Sequence, residues 1–150
     1  MAFKASNLVP AETYRQVKGA AVQLKAICQG FNARLLANNA DYQFLYDIYV
    51  TLARANSQFD ALKTTPGLST YAQSQEDDAA YDVAAEFTAM QSAINSAQNW
   101  METNVPVKNR TVKSVNTWDS SDSILISDVF TPAQTAGLRT QLDAVIAAID

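Results

Sequence analysis

The chain has 150 residues, 48% of them hydrophobic and 17% charged, which is the size and apolar content of one compact domain with its own core and no room for a second. Its 11 basic and 15 acidic residues leave a net charge of -4, which argues against affinity drawn from neutralising nucleic-acid phosphates. There is no histidine and one cysteine, Cys28, so Ser-His-Asp and Cys-His machinery, His-ligated haem, multi-cysteine zinc sites, His-containing di-iron bundles and an intramolecular disulfide are excluded.

Ser, Thr, Asn and Gln supply 44 residues and Ala another 25, so the polar surface must be largely uncharged. The opening segment, Met1 to Pro10, lacks a signal peptide's apolar run, and no stretch approaches the roughly 18 apolar residues of a membrane span. The chain therefore reads as soluble and cytosolic when made, without a membrane partner.

In chain order, Tyr14, Val17, Ala21, Leu24, Cys28, Phe31 and Leu35 follow a 3-4-3-4 spacing that puts them on one seam of a long helix. Pro10 suits its first turn and Asn38-Asn39 its end. Gly19 and Gly30 lie inside it, where glycine disfavours the helix by about 1 kcal/mol against Ala, and so predict close approach by a neighbour. A second helix is predicted from about Ala40 to Lys63 on the stripe Leu45, Ile48, Leu52, Ala55, Phe59 and Leu62. Tyr42, Tyr46 and Tyr49 beside that stripe, with Phe44 on its other side, widen the apolar arc of its first half, which should be covered on two sides.

Thr64-Thr65-Pro66-Gly67 breaks this helix. A third should start between Ser69 and Asp78 and run to about Met101 on Val83, Phe87, Met90, Ile94, Ala97 and Met101. Between Val107 and Phe130 the period shortens towards 2, predicting a small β-hairpin around Asp119-Ser120-Ser121-Asp122. Thr131, Pro132 and Gln134 then supply a cap, a first-turn proline and a capping-box partner for a last helix on Leu138, Leu142, Val145, Ile146 and Ile149. The expected architecture is mainly α: a single domain over residues 1–150, a bundle of three long helices plus a shorter C-terminal one, with the hairpin inserted at about 107–130.

Few residues offer chemistry. Glu76, Asp77, Asp78, Asp82 and Glu86 form the densest acidic cluster, with Asp78, Asp82 and Glu86 spaced to share a helical face, but the glycine-turned cage of a calcium loop is missing and carboxylates near a helix start complement its dipole. Neither a metal nor a cofactor is expected, and no catalytic residue can be named. Cys28, between Leu24 and Phe31 on the core seam, reads as a buried, inert thiol. Lys108, Arg110, Lys113 and Trp118 make a small basic and aromatic cluster on the hairpin, suited either to a partner contact or to guarding a solvated edge, and not to specific nucleic-acid binding. Tyr42, Tyr46 and Tyr49 suit either a second core face or an intersubunit anchor.

Charge is segregated along the chain: residues 1–40 carry +4, 41–63 carry -1, 64–107 carry -6, 108–118 carry +3 and 119–150 carry -4. The basic first helix, with Lys18 and Lys25, should therefore face the acidic third segment, either of its own bundle or of a neighbouring copy, where it would set the orientation of subunits.

Two segments, Tyr81-Asp82-Val83-Ala84-Ala85-Glu86-Phe87-Thr88-Ala89-Met90 and Phe130-Thr131-Pro132-Ala133-Gln134-Thr135-Ala136-Gly137-Leu138-Arg139, with the Ala- and amide-rich helices around them, resemble small virion structural proteins of tailed bacteriophages. The resemblance implies a non-enzymatic homo-oligomer, made in the host cytoplasm and located in the virion. It also implies partners among its own copies and neighbouring portal, tail or capsid proteins, with the neck or head-tail connection favoured. A capsid-decorating protein and a cytosolic helical adaptor or regulatory module are the alternatives.

Overall fold

The computed structural model describes residues 5–37, 42–105 and 131–150. It is mainly helical: α1 is Ala5–Leu36, α2 Tyr42–Lys63, α3 Leu68–Gln75, α4 Val83–Asn104 and α5 Pro132–Ile149. The segment in which a hairpin was expected, and Asn38-Asn39, lie outside the described residues.

Each long helix buries the stripe its sequence carries. On α1 these are Tyr14, Val17, Leu24, Cys28 and Leu35, and on α2 Phe44, Leu45, Ile48, Leu52 and Phe59; on α4 all six expected residues are buried, and on α5 Leu138, Leu142 and Val145. Burying one such Leu, Ile or Phe side chain is favourable by about 1.5–3 kcal/mol. The four stripes meet in one core, with extensive contact of α1 with α2, α2 with α4, α4 with α5 and α5 with α1.

Paired residues show that every neighbour in this ring is antiparallel. The Phe31 and Phe44 rings meet edge-on at 5.5 Å, while Thr13 lies 3.4 Å from Thr65 just past the other end of α2. Tyr49 donates to Glu102 at 2.9 Å and Gln91 to Asp60 at 2.7 Å. Gln134 donates to the Asn104 carbonyl at 2.8 Å, and Asn32 to Asp143 at 2.7 Å. The result is an up-down-up-down four-helix bundle. α1, with 32 residues, is longer than the 18-residue α5, and α3 lies against α1 and α4 where α5 does not reach.

The third expected helix is two. Gly67 turns left-handed at φ 80 and starts the eight-residue α3; Asp77 at φ 50 follows its end. Asp82, extended at φ -116, then caps α4 by accepting from the Ala84 and Ala85 N–H groups, satisfying donors that a helix start leaves unpaired. Two left-handed residues and a cap cannot belong to one continuous helix. Pro10 sits a turn further into α1 than expected because the helix begins at Ala5. The expected capping box of α5 is present: Thr131 Oγ1 accepts from the Gln134 N–H at 3.1 Å and Gln134 Oε1 from the Thr131 N–H at 2.9 Å.

Glycine placement differs from expectation. A β-carbon at Gly19 or Gly30 would meet nothing within 4 Å, whereas one at Gly137 would stand 2.5 Å from Trp100 Cζ2. The close approach is therefore between α4 and α5, and the α1 glycines face outward from the chain. In denaturant titrations, Gly19→Ala and Gly30→Ala should each stabilise the subunit by about 0.5–1 kcal/mol. Gly137→Ala should destabilise it by about 1–3 kcal/mol, the cost of overfilling a packed seam exceeding the gain in helix propensity.

Candidate functional site

Among the described residues, a cluster of titratable side chains from two elements lies where α3 joins α1. Tyr14 and Lys18 are one turn apart on α1, so they project to one side, and Glu76 is the residue that ends α3, its N–H bonded to the Ala72 carbonyl at 2.9 Å. The Lys18 ammonium stands 2.8 Å from Glu76 Oε1, and the Tyr14 hydroxyl donates to the same oxygen. Lys18 also lies 5.3 Å from the centre of the Tyr14 ring, and Tyr71 of α3 meets that ring edge-on at 5.7 Å.

This geometry moves each group away from neutrality. Lys18 chiefly, then Tyr14, hold the Glu76 carboxyl below its usual range, and Glu76 holds the Lys18 ammonium above its own. Burial, then the Glu76 carboxylate, push the Tyr14 phenol up, and burial does the same to Tyr81. A general acid or base works best with a pKa near the operating pH. These shifts run the other way, and the contacts of Glu76 with Lys18 and Tyr14 tie α3 to α1.

A second polar group lies on the α2/α4 seam. Gln91 is buried at 9% exposure and fully engaged: its Nε2 donates to Asp60 at 2.7 Å and to the Asn56 carbonyl at 3.3 Å, and its Oε1 accepts from Lys63 at 3.1 Å. Lys63 also pairs with Asp60 at 2.8 Å. Lys63 and then Gln91 hold the Asp60 carboxyl below its usual range. Beside this seam a cleft of about 280 Å³ is lined by Lys63, Thr65, Leu68, Ser69, Val83 and Phe87 among others. A smaller one of about 60 Å³ lies between Tyr14, Val17, Tyr81, Glu86 and the same Val83 and Phe87.

The residues singled out from sequence are distributed as follows. The acidic residues 76–86 do not share a face: Glu76 is tied to α1, Asp78 accepts from the Ala80 N–H at 2.9 Å, and Asp82 caps α4. Among the described residues no three Asp, Glu or Cys side chains come together as a metal site would require. Lys18 meets the acidic segment of its own chain, and Lys25 pairs with Asp150, so the basic helix finds acidic partners within the subunit. Tyr49 is buried and Tyr46 half-buried against the core; the side chain of Tyr42 lies outside the described residues, as do Lys108, Arg110, Lys113 and Trp118. Cys28 is fully buried, and burial pushes its thiol up to about 12. No described helix is long and apolar enough to cross a membrane.

Sequence reasoning missed Gln91 and the role of Glu76. Gln91 had a signal, since it lies four residues after Phe87 and three before Ile94, a polar side chain inside an apolar arc. For Glu76 the charge segregation pointed to the segment and to the basic helix, but nothing local singled out this carboxylate among its acidic neighbours, because its partners are on α1.

Carboxyls with lowered pKa values stabilise the fold fully above their unfolded values, about 4.3 for Glu and 3.9 for Asp, and lose that contribution as pH falls through their folded values. The thermal midpoint should therefore hold between pH 7 and 5 and drop below about pH 4. Glu76→Gln should lower the midpoint at pH 7 and show a smaller further drop on acidification, which thermal melts from pH 7 to 3 will measure. Comparison of the chain with protein-family models, with curated proteins and with solved structures finds no match.

Proposed function

We propose that the protein is a non-enzymatic structural component that works by packing against copies of itself and neighbouring proteins, in the manner of a small tailed-phage virion protein at the neck or head-tail connection. The observation that carries this reading is the outer side of α1. Val22 and Leu36 are the exposed large hydrophobics among the described residues, each 67% exposed. They are fourteen residues apart, four turns less a fraction, and so lie on nearly the same side of the helix about 21 Å apart. Gly19 and Gly30, with open space around them, lie about 60° and 80° round the helix from Val22 on the side away from Leu36, so the outer face of α1 is low beside its apolar pair.

Apolar side chains scattered singly on a surface need no partner; two of them on one line of a helix, with two glycines beside them on the same outer face, make a surface that a partner helix fits. The two segments that resemble phage virion proteins contribute to α4 and α5, the pair in most extensive contact, so they would belong to the scaffold and the α1 surface to the contact. Exposed ion pairs contribute about 0–1 kcal/mol, and with Lys18 and Lys25 paired internally the contact is apolar in kind.

Light scattering should find a concentration-dependent oligomer that persists from low to high salt and is lost in Val22→Glu/Leu36→Glu, with the helical circular dichroism of the subunit unchanged. Cross-linking in an intact particle should join the protein to portal or tail proteins. A monomer at every concentration removes the assembly reading, and cross-links to the major capsid protein alone replace the neck with a decorating role.

A further inference from the structure

α3 and its flanking turns are attached differently from the rest of the bundle. Of the eight residues of α3 only Leu68 and Ala72 are buried, and residues 74–80 are all exposed. Both ends are marked by left-handed residues, Gly67 at φ 80 and Asp77 at φ 50, and the N–H groups of Asp77 and Asp78 fold back onto the Ser74 and Gln73 carbonyls, so that the end of α3 bonds to itself and not to the long helices. Among the described residues, the side-chain ties from residues 64–81 to the four long helices are a long Thr13–Thr65 contact of 3.4 Å and the two made by Glu76, to Tyr14 and Lys18. The Gln73 side chain, by contrast, donates to the Tyr81 carbonyl at 3.0 Å and so ties the segment to itself. What holds this segment down is Leu68 and Ala72 in the core, Tyr71 and Tyr81 half-buried against it, the Thr13–Thr65 contact and the Glu76 carboxylate.

The two clefts lie on either side of the segment. Thr65, Leu68 and Ser69 wall the larger, and Tyr81 walls the smaller, while Val83 and Phe87 line both. The two clefts therefore share an apolar wall, Val83 and Phe87.

We propose that residues 64–81 form a strap that opens as a unit while α1, α2, α4 and α5 stay folded, that Glu76 is its clasp, and that opening joins the two clefts into one apolar groove floored by Val83 and Phe87. The four long helices share one core, so none leaves without exposing the others; the strap contributes only its edge to that core. Local opening is expected where few buried contacts and exposed backbone coincide.

Hydrogen exchange on the full chain at neutral pH tests this. Amides of residues 71–78 should exchange at least about tenfold faster than those in the second half of α4. Glu76→Ala should accelerate the former about three- to fivefold and leave the latter unchanged. Asp150→Ala, which removes the comparable Lys25 pair on α5, should leave the strap unchanged. A second measurement uses thiol labelling of Val83→Cys, in which the native Cys28 in the core reports opening of the whole bundle. The thiol at position 83 should react faster than Cys28, and faster still when Glu76→Ala is added. Equal acceleration of all helices by Glu76→Ala, no acceleration in the strap, or equal labelling of the two thiols would each overturn the proposal.

Discussion

Each long helix of this chain carries a single apolar stripe, and four such stripes can all be shielded only if the helices close into a ring. An amphipathic helix gains most of its stability from burying that stripe and little from its own propensity. Neighbouring helices in that ring run antiparallel, as the pairs Tyr49–Glu102 and Gln91–Asp60, Gln134–Asn104 and Asn32–Asp143 show. α1 and α5 differ in length. The apolar seam of α1 begins at Tyr14, yet α5 covers only its later part, down to the level of Lys25 and Asp150. Tyr14 and Val17 would lie bare at that end without α3, whose Leu68, Tyr71 and Ala72 cover it. The fourth column of the bundle is thus shared: α3 and α5 each lie against α1 and α4, at different levels.

Apolar stripes alone do not set how far one helix slides along another, because a shift of one turn brings an equivalent row into contact. Polar and shape-specific pairs on the seams remove that freedom. A slip of α2 against α4 would take Gln91 away from Asp60, Lys63 and the Asn56 carbonyl and leave a buried amide unpaired, at about 1–3 kcal/mol. A slip of α4 against α5 would drive Trp100 into a side chain at a position other than Gly137. The α1/α5 seam is pinned by Asn32 with Asp143. The register therefore rests on a few residues at the margins of the core.

The four long helices were legible from sequence because their stripes hold one period over several turns, and the start of α5 because Thr131, Pro132 and Gln134 form a local signal. The break before α4 was not. Asp78, Asp82 and Glu86 have helical spacing, yet Asp82 serves as a cap and Asp78 closes a turn, uses that the same spacing does not distinguish. α3 is too short to show a period, although Leu68, Tyr71 and Ala72 have its spacing. Gly19 and Gly30 were read as points of close approach, but within the chain that role falls to Gly137, and which glycine meets a neighbour depends on helix rotation. Charge segregation pointed to a contact between the basic and acidic segments; it did not say which copy supplies the partner, and Lys18 meets Glu76 of its own chain.

The composite fourth column has a mechanical consequence. A continuous α-helix transmits axial load through an unbroken chain of hydrogen bonds, and α1, α2 and α4 do so over 32, 22 and 22 residues, or about 48 and 33 Å. Between α3 and α5 no ladder crosses the joint, so tension or torsion applied along the molecule falls on three columns at the α3 end and four at the α5 end. The bundle is stiffer at one end than at the other. Strain applied along the molecule would collect at the compliant end, and bending would be taken up there while the α5 end moves as a rigid body.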